Sequence, residues 1–390
     1  MISSCSKGGA GSRGVGMSTA SLRSWLALRA VRELDDTTVC RLVQTFGSPE
    51  AVQAASTDSL VASGGISEWL AHVIKRGPDH QTQQAIDREL KTLERLRVSV
   101  VTFLDPDYPP RLRAIHDPPP LLYVSGALAQ EDRHAVAVVG SRHATAAGRL
   151  LTEELSQDLA SAGFTVVSGL ARGADAAAHR GALAAGGRTV AVLGCGIDQT
   201  YPPEHQSLRK EIESSGAVIA ELPLGSYPHG YHFPRRNRII SGMCLGVVVT
   251  EAAIQSGSLI TARLAADQGR EVFAVPGFVK ADNSRGPNGL IKQGAKLVET
   301  VQDIIDELLP QLDAAFRERL ERRAPQPVGS PPQLGKQEAT IYQALSFEPT
   351  HIDALIVNSG LPAAEVTAHL FSLELKHLIR QLPGQTYLRL

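Results

Sequence analysis

The stretch HAVAVVGSRHATAAGR, from His134 to Arg149, decides the fold that this sequence predicts. Its β-branched run predicts a strand, and Gly140-Ser141-Arg142 predicts a tight turn. The alanine-rich residues after the turn predict the start of a helix. A strand that passes through glycine into a helix points backbone N–H groups and the positive helix end at one place, which suits an anion. Arg142 adds a planar guanidinium that can grip a phosphate. The stretch therefore predicts a phosphate site.

Strands and helix-length segments alternate from Ala135 to about Leu309. The predicted strands are nearly all apolar, as expected of strands that helices cover on both faces. They are AVAVVG, TVVSGL, TVAVLG, AVIAEL, GVVVTEA, EVFAVPG and KLVET. The pattern predicts an α/β fold with an extended Rossmann-like, doubly wound and mostly parallel sheet.

Four further segments flank this region. Residues 1–20 are rich in Gly and Ser, and we predict that they are disordered. Residues 21–97 show helical spacing of apolar residues and predict a small helical domain, similar to SAM and helix-hairpin-helix domains. The α/β domain is predicted over 98–310, and a Pro-rich linker follows over 311–335. Three helices and a hairpin over 336–390 predict a winged-helix-like domain.

Composition excludes several classes of protein. The 390 residues carry 39 basic and 40 acidic side chains, so nucleic-acid binding would need a local cluster rather than a global positive charge. The four cysteines are far apart, which argues against a disulfide framework or a zinc site. We find neither a membrane-length apolar run nor the apolar segment of a signal peptide, so we expect a cytoplasmic protein with no membrane partner.

Ligands on a doubly wound sheet bind where the strands end, so the loops after the predicted strands hold the candidate residues. Five of these loops contain glycine, interleaved with Ser, Thr and Arg. Tight strand-to-helix turns also use glycine, which accounts for one or two of the five. We therefore predict a phosphate-binding groove. Its candidate residues are Gly140, Ser141, Arg142, Thr145, Ser168, Gly169, Arg172, Ser256, Gly257 and Ser258.

The run PHGYHFPRRNR, residues 228–238, combines three arginines with Tyr231 and Phe233 and has no acidic residue. Arginines beside aromatic rings suit single-stranded nucleic acid, whose backbone needs cations and whose bases stack on rings. Two alternatives stay open: Phe233 fills the core, and one arginine forms a buried ion pair with Glu221 or Glu251. The candidate residues of the run are Phe233, Arg235, Arg236 and Asn237.

The sequence lacks the motifs of several enzyme classes. It has no P-loop, no G-x-G-x-x-G in the first turn and no G-x-S-x-G, which argues against an ATPase, a dinucleotide enzyme and an α/β-hydrolase. Asp175 and Asp198 lie beside glycines, where aspartate commonly caps a helix or shapes a turn, and we favour capping over catalysis for both. His229 and His232 have no third ligand nearby, so we predict no metal. We also predict no catalytic residue and no cofactor.

Seven segments of the chain resemble the DNA-processing protein A (DprA, or Smf) family of bacteria. They cover the α/β core, and the runs FPRRNRIISG and SGSLITA are specific. The segments are YPPRL (108–112), GSRHAT (140–145), SGLARGADAAAH (168–179), TVAVLGCGIDQTYPPEH (189–205), HFPRRNRIISGM (232–243), EAAIQSGSLITARLAADQGREVFAVPG (251–277) and NGLIKQGA (288–295). The helical front and the winged-helix-like tail also suit this family.

The resemblance implies a protein that binds single-stranded DNA, protects incoming strands and loads the RecA recombinase onto them in natural transformation and recombination. It implies no catalysis, and it implies a homodimer formed through the α/β core. By the match, Arg142 binds phosphate and Phe233 lies at a base-accepting pocket. The residues that line the backbone track are Gly140, Ser141, Ser168, Gly169 and Ser258.

The chain departs from the family pattern at two positions. Family members carry a lysine just after the Tyr-Pro of the third loop, and another three residues before the phenylalanine of HFP. Pro203 and Gly230 stand in those places here. We expect Arg172, Arg235 or Arg236 to complete the positive groove instead.

The C-terminal segment has no surplus of basic residues. Glu365 and Glu374 lie on its predicted recognition helix, which makes the helix poorly suited to grip the phosphates of duplex DNA. We therefore expect this segment to contact protein.

An enzymatic alternative uses the same loops: a hydrolase that cleaves nucleoside monophosphates into base and sugar phosphate. Such enzymes are similar in fold but carry P-G-G-x-G-T-x-x-E, with a glutamate in the helix after the loop. In this chain the corresponding run, residues 255–261, has no acid before Asp267. The sequence therefore favours a DNA-binding protein without catalytic activity.

Overall fold

The computed structural model describes residues 19–322, 334–345, 349–376 and 378–389. These residues form two compact units. The first contains the chain up to Tyr108 and Arg113–Ser125, and the second contains Pro109–Leu112 and the chain from Gly126 onward. Residues 1–18 of the predicted extension and 323–333 of the predicted linker lie outside the described ranges. The domain boundaries drawn from the sequence stay a prediction.

The first unit is helical, as predicted, and ends in an antiparallel pair of strands. Its helices are α1 (Thr19–Arg29), α2 (Asp36–Phe46), α3 (Pro49–Ala54), α4 (Thr57–Gly64), α5 (Glu68–Arg76) and α6 (His80–Leu96). Helices α2 to α6 each begin after a Ser or Asp whose side chain accepts a hydrogen bond from the amide three residues on. Strand β1 (Ser99–Thr102) pairs with β2 (Leu121–Gly126). A four-residue helix, α7 (Pro110–Arg113), lies between them in the chain.

The second unit is built on seven parallel strands, which confirms the predicted fold class. The strands are β3 (Ala135–Val139), β4 (Thr165–Ser168), β5 (Thr189–Leu193), β6 (Ala217–Ala220), β7 (Gly246–Val249), β8 (Glu271–Ala274) and β9 (Lys296–Leu297). The helices are α8 (Ala146–Ala162), α9 (Ala174–Ala184), α10 (Gln206–Ser215), α11 (His232–Met243), α12 (Gly257–Asp267), α13 (Asp282–Lys292), α14 (Val301–Leu308) and α15 (Ala314–Arg322). Short 3₁₀ helices occupy Gln130–His134, Pro203–His205 and Leu309–Gln311.

The order of the strands places a crevice in the middle of the sheet. The order is β6-β5-β4-β3-β7-β8-β9, so the chain first moves from β3 out to β6 and then returns to the other side of β3. The loops after β3 and β7 therefore leave the sheet in opposite directions, and such a switch point is where open α/β sheets bind ligands. Every residue of β3 to β7 is buried, as expected between two layers of helices.

One apolar cluster anchors the unit from β3 to its last helix. Val136 and Val138 of β3 pack with Leu159 of α8 and with Leu308 of α14. Phe316 of α15 belongs to the same cluster, and its ring lies 4.8 Å from that of Phe164. Helix α15, which lies within the predicted linker, is thus held to the core by an aromatic contact.

The C-terminal part has the predicted winged-helix fold. It contains α16 (Lys336–Ala344), β10 (Thr350–His351), α17 (Ile352–Ser359), α18 (Ala363–Leu375), β11 (Ile379–Leu382) and β12 (Thr386–Arg389). The strands form a sheet in the order β10-β12-β11, one short strand more than the predicted hairpin. Glu338 of α16 accepts hydrogen bonds from Lys376 at 2.7 and 2.8 Å, which lowers the pKa of Glu338 to about 2. In the residues described, no helix is both long and apolar enough to span a membrane.

Candidate functional site

A cavity of about 460 Å³ opens at the carboxyl ends of β3 and β7. It lies between the loop after β3, the first turns of α11 and the start of α12. Nine of the residues predicted from the sequence line it: Gly140, Ser141, Arg142, Phe233, Arg236, Asn237, Ser256, Gly257 and Ser258. The fold thus brings three distant segments of the chain to the switch point of the sheet.

Arg142 and Phe233 face each other in this cavity. The guanidinium carbon of Arg142 lies 5.0 Å from the centre of the Phe233 ring, within the range of a cation–π contact. Phe233 is half-buried, and the ring of Tyr201 lies 5.5 Å from it. Gly194 permits the Phe233 ring to lie close to the backbone, since a Cβ at Gly194 would lie 2.8 Å from that ring. Arg142 is exposed, and within the described part of the chain no acidic side chain forms an ion pair with it, so its charge can meet an external anion.

The N-terminus of α12 lies at the same cavity. Ser256 is the N-cap and accepts a hydrogen bond from the Ser258 amide at 3.4 Å, and the two hydroxyl oxygens are 2.7 Å apart. The side-chain amide of Asn237 donates to the Gly257 carbonyl at 3.3 Å and joins α11 to α12. Because a helix N-terminus carries a partial positive charge, this helix end and Arg142 attract an anion to one place.

Arg236 lines the cavity from inside the protein and is only 6% exposed. Its guanidinium donates to the Gly169 carbonyl at 2.8 Å and to a carbonyl of β5. Burial lowers the pKa of Arg236 to about 10, against the attraction of Asp175. Asp175 is also buried, which raises its pKa, and it accepts hydrogen bonds from the amides of Gly169 at 3.2 Å and Ala171 at 3.3 Å. The pair therefore fixes the loop after β4 against α11.

A carboxylate of the chain itself occupies the N-terminus of α8, where the sequence led us to expect an external phosphate. Glu251 accepts hydrogen bonds from the Thr145 amide at 2.8 Å and from the Thr145 hydroxyl at 2.7 Å. Thr145 is the N-cap and accepts from the Gly148 amide at 2.9 Å. A Cβ at Gly148 would lie 2.2 Å from the Glu251 carboxyl carbon, so glycine makes the room. The side chain of Glu251 thus already occupies this helix end, and the DNA contact of Thr145 stays a prediction.

Three other predicted residues lie at the end of β4 and in the loop after it, outside the lining of the cavity. Ser168 is fully buried and donates to a carbonyl of β3 at 2.7 Å. Gly169 has no room for a side chain, since a Cβ would lie 2.4 Å from the Arg236 guanidinium. Arg172 forms an ion pair with Glu204, and both side chains are about half exposed. Contacts of these three residues with a ligand stay predictions.

The three arginines of the run 228–238 have different surroundings. Arg235 is exposed, with its Nε 3.9 Å from a carboxylate oxygen of Glu221. Arg236 is buried, as described above. Arg238 forms a buried ion pair with Glu221, which is one of the two alternatives that the sequence left open.

Neither Asp175 nor Asp198 caps a helix, which corrects the sequence-based prediction. The N-cap of α9 is Gly173, and no side chain caps that helix. Asp175 instead binds amides of the loop that precedes α9, and Asp198 accepts from the Gly225 amide at 2.9 and 3.1 Å. Both aspartates therefore hold loops in place.

Two residues at the site were not among the predicted site residues: Tyr201, beside Phe233, and Glu251, which the sequence analysis named only as a possible ion-pair partner of an arginine. Both follow strands of the parallel sheet, so their position at its carboxyl edge was readable from the sequence. Their contacts were not, because each joins segments that are far apart in the chain.

Replacement of Glu251 by alanine is expected to loosen the loop between β3 and α8. It removes three hydrogen bonds to a carboxylate, two from Thr145 and one from Asn283 at 3.3 Å. Since each such bond contributes about 1.5–3 kcal/mol, the amides of this loop should exchange with deuterium at least about tenfold faster. Glu204→Ala, which removes a half-exposed acid, is the matched control. Unchanged exchange in Glu251→Ala would show that the carboxylate does not hold the loop.

Two family models match the chain. The model of DNA recombination-mediator protein A matches residues 99–309, and that of the DprA winged helix domain matches residues 324–385. Protein Smf of Synechocystis is 33% identical over 94% of this chain and 98% of its own length.

Two solved structures of DNA processing protein A are similar to the chain. The Streptococcus pneumoniae protein is 33% identical, with a TM-score of 0.63, over 76% of this chain and 99% of that one. The Helicobacter pylori protein, described for its single-stranded DNA binding mode, is 28% identical, with a TM-score of 0.50, over 56% of this chain and 98% of that one. The resemblance seen in the sequence is confirmed: the chain belongs to the DNA recombination-mediator protein A family, which includes Smf and DprA.

Proposed function

We propose that the chain binds single-stranded DNA in the cavity at the carboxyl ends of β3 and β7. The observation that carries this proposal is the exposed guanidinium of Arg142 over the ring of Phe233, next to the N-terminus of α12. A phosphate can bind the guanidinium and the helix end while a neighbouring base stacks on the ring. A duplex keeps its bases inside, so this arrangement favours a single strand. The Helicobacter pylori relative, whose description names single-stranded DNA, supports the assignment.

The predicted residues take different parts in this proposal. The nine that line the cavity contact the strand. Arg172 and Arg235 are exposed and extend the positive surface in place of the two lysines of the family. Thr145, Ser168 and Gly169 shape the walls through the contacts described above.

We further propose that the chain protects incoming single strands and loads RecA onto them in transformation and recombination, in the cytoplasm and as a homodimer through its α/β unit. The family resemblance supports these roles. Phe278 and Val279 of the α/β unit are 67% and 76% exposed, which suits a protein interface. The winged-helix domain also suits a protein partner, because its helix α18 exposes Phe371 and Leu375 and carries an exposed acid, Glu365.

The hydrolase alternative has less support. Of the described residues that line the cavity, Asp175 is the one carboxylate, and it is buried against two amides and Arg236. An acid in that position is not free to act on a substrate. The names of the matched relatives are those of DNA processing proteins.

Binding of a fluorescent oligothymidine by the full chain, followed by anisotropy, tests the proposal. If each subunit contacts about four phosphates, the logarithm of the binding constant should fall against that of the salt concentration with a slope of about −3. An assay for free base released from nucleoside monophosphates runs in parallel. Absence of binding, or release of base, would overturn the proposal.

A further inference from the structure

The loop before α11 exposes two aromatic rings that the site described above does not use. Tyr227 is 68% exposed and Tyr231 is 72% exposed. Residues 222–231, which form this loop, contain no lysine or arginine. Large exposed rings on a loop that carries no lysine or arginine of its own suit a ligand that stacks.

Hydrogen bonds hold the backbone of the loop that carries these rings. The Asp198 carboxylate accepts from the Gly225 amide at 2.9 Å near the start of the loop. At its end, the His229 amide donates to the Tyr227 carbonyl at 2.9 Å, and Nδ1 of His232 lies 3.1 Å from that oxygen. A loop whose backbone is already held in place loses less conformational entropy when a ligand binds to it.

The rings are arranged at the rim of the cavity. The His229 and Tyr231 rings are parallel, with an angle of 3° between their planes and 5.6 Å between their centroids. The plane of the His232 ring lies at 70° to that of the Tyr231 ring, with centroids 4.3 Å apart. Gly230, which lies between the two parallel rings in the chain, lines the cavity together with Phe233. A strand that leaves Phe233 on this side therefore meets the rings next.

We propose that Tyr231 and His229 form a second stacking site, which takes a nucleobase of the strand whose neighbouring nucleotide lies at Arg142 and Phe233. The inference rests on the proposed function and adds a stacking contact that involves no charged side chain. Stacking accepts any base, because every base has a π face. This site therefore adds affinity without base preference and without further dependence on salt.

The test compares Tyr231→Ala with the unchanged full chain by anisotropy, on oligothymidine and on a strand of equal length made of abasic nucleotides. Loss of one stacked base weakens binding by about five- to a hundredfold. We expect this loss on oligothymidine, with an unchanged salt slope, and equal binding of both proteins to the abasic strand. Tyr231→Phe keeps the ring and should bind as the unchanged chain does, and thermal melting shows whether each variant is folded.

The outcomes separate this inference from the proposed function. If the unchanged chain binds no single strand, the proposed function fails. If it binds, and Arg142→Ala weakens binding while folded Tyr231→Ala does not, the second stacking site is refuted. An equal loss on the abasic strand also refutes it, because that loss would not come from a base.

Discussion

Replacement of Arg142 by alanine is expected to weaken binding of a single strand by about ten- to a hundredfold, since a hydrogen bond to a charged group contributes about 1.5–3 kcal/mol. The physical reason is that Arg142 is the exposed guanidinium in the lining of the cavity, whereas Arg236 is buried against carbonyl groups. The salt slope should also become shallower by about 0.7, the value for one phosphate contact with a single strand. Anisotropy titrations at several salt concentrations measure both quantities.

Arg180→Ala is the matched control for this variant. Arg180 is an exposed arginine of α9 that does not line the cavity, so its removal changes the net charge equally. We expect Arg180→Ala to retain nearly all of the affinity. If the two variants bind alike, the effect is one of overall charge, and the assignment of the phosphate to Arg142 is wrong.

Replacement of Asp175 by alanine is expected to destabilise the α/β unit by about 2–5 kcal/mol, because it leaves two buried amides without their acceptor and each unsatisfied buried donor costs about 1–3 kcal/mol. The variant removes the negatively charged neighbour of the Arg236 guanidinium. It also removes the acceptor of the Gly169 and Ala171 amides. The pKa of Asp175 is raised and that of Arg236 lowered, so burial costs outweigh their attraction. Asp175 and Arg236 thus fix the geometry of the loop after β4 more than their attraction stabilises the fold. Removal of Asp175 alone still lowers the free energy of unfolding.

Urea denaturation followed by circular dichroism measures this effect. Asp267→Ala is the control, since Asp267 is an exposed acid of α12 whose loss should change the free energy of unfolding by less than about 0.5 kcal/mol. Asp175→Asn keeps an acceptor for the loop amides, so its free energy of unfolding should lie between those of Asp175→Ala and Asp267→Ala. Equal stability of Asp175→Ala and the unchanged chain would mean that the pair does not hold the loop after β4.

The sequence predicted the sheet well because its signal is local. Most of the parallel strands are short apolar runs, and each is followed by a loop and a helix, so alternation alone indicates a parallel sheet. The loops then had to meet at one edge, which is why nine candidate residues line one cavity.

The contacts that the sequence missed depend on the order of the strands. The return of the chain to β7 beside β3 brings Glu251 to Thr145, which lies 106 residues earlier. Periodicity does not show that proximity, so the sequence predicted an external phosphate at the N-terminus of α8. The same limit applies to the arginines, because only packing decides that Arg236 and Arg238 are buried while Arg235 is exposed.

The central claim is that the cavity takes a single strand. Competition at one salt concentration, between a labelled oligothymidine bound to the full chain and either unlabelled oligothymidine or duplex DNA of the same length, tests it most directly. The ring beside the guanidinium can stack only on an unstacked base, which a duplex does not offer. We therefore predict that the single strand competes at least about tenfold better than the duplex. Equal competition by the duplex would contradict the account.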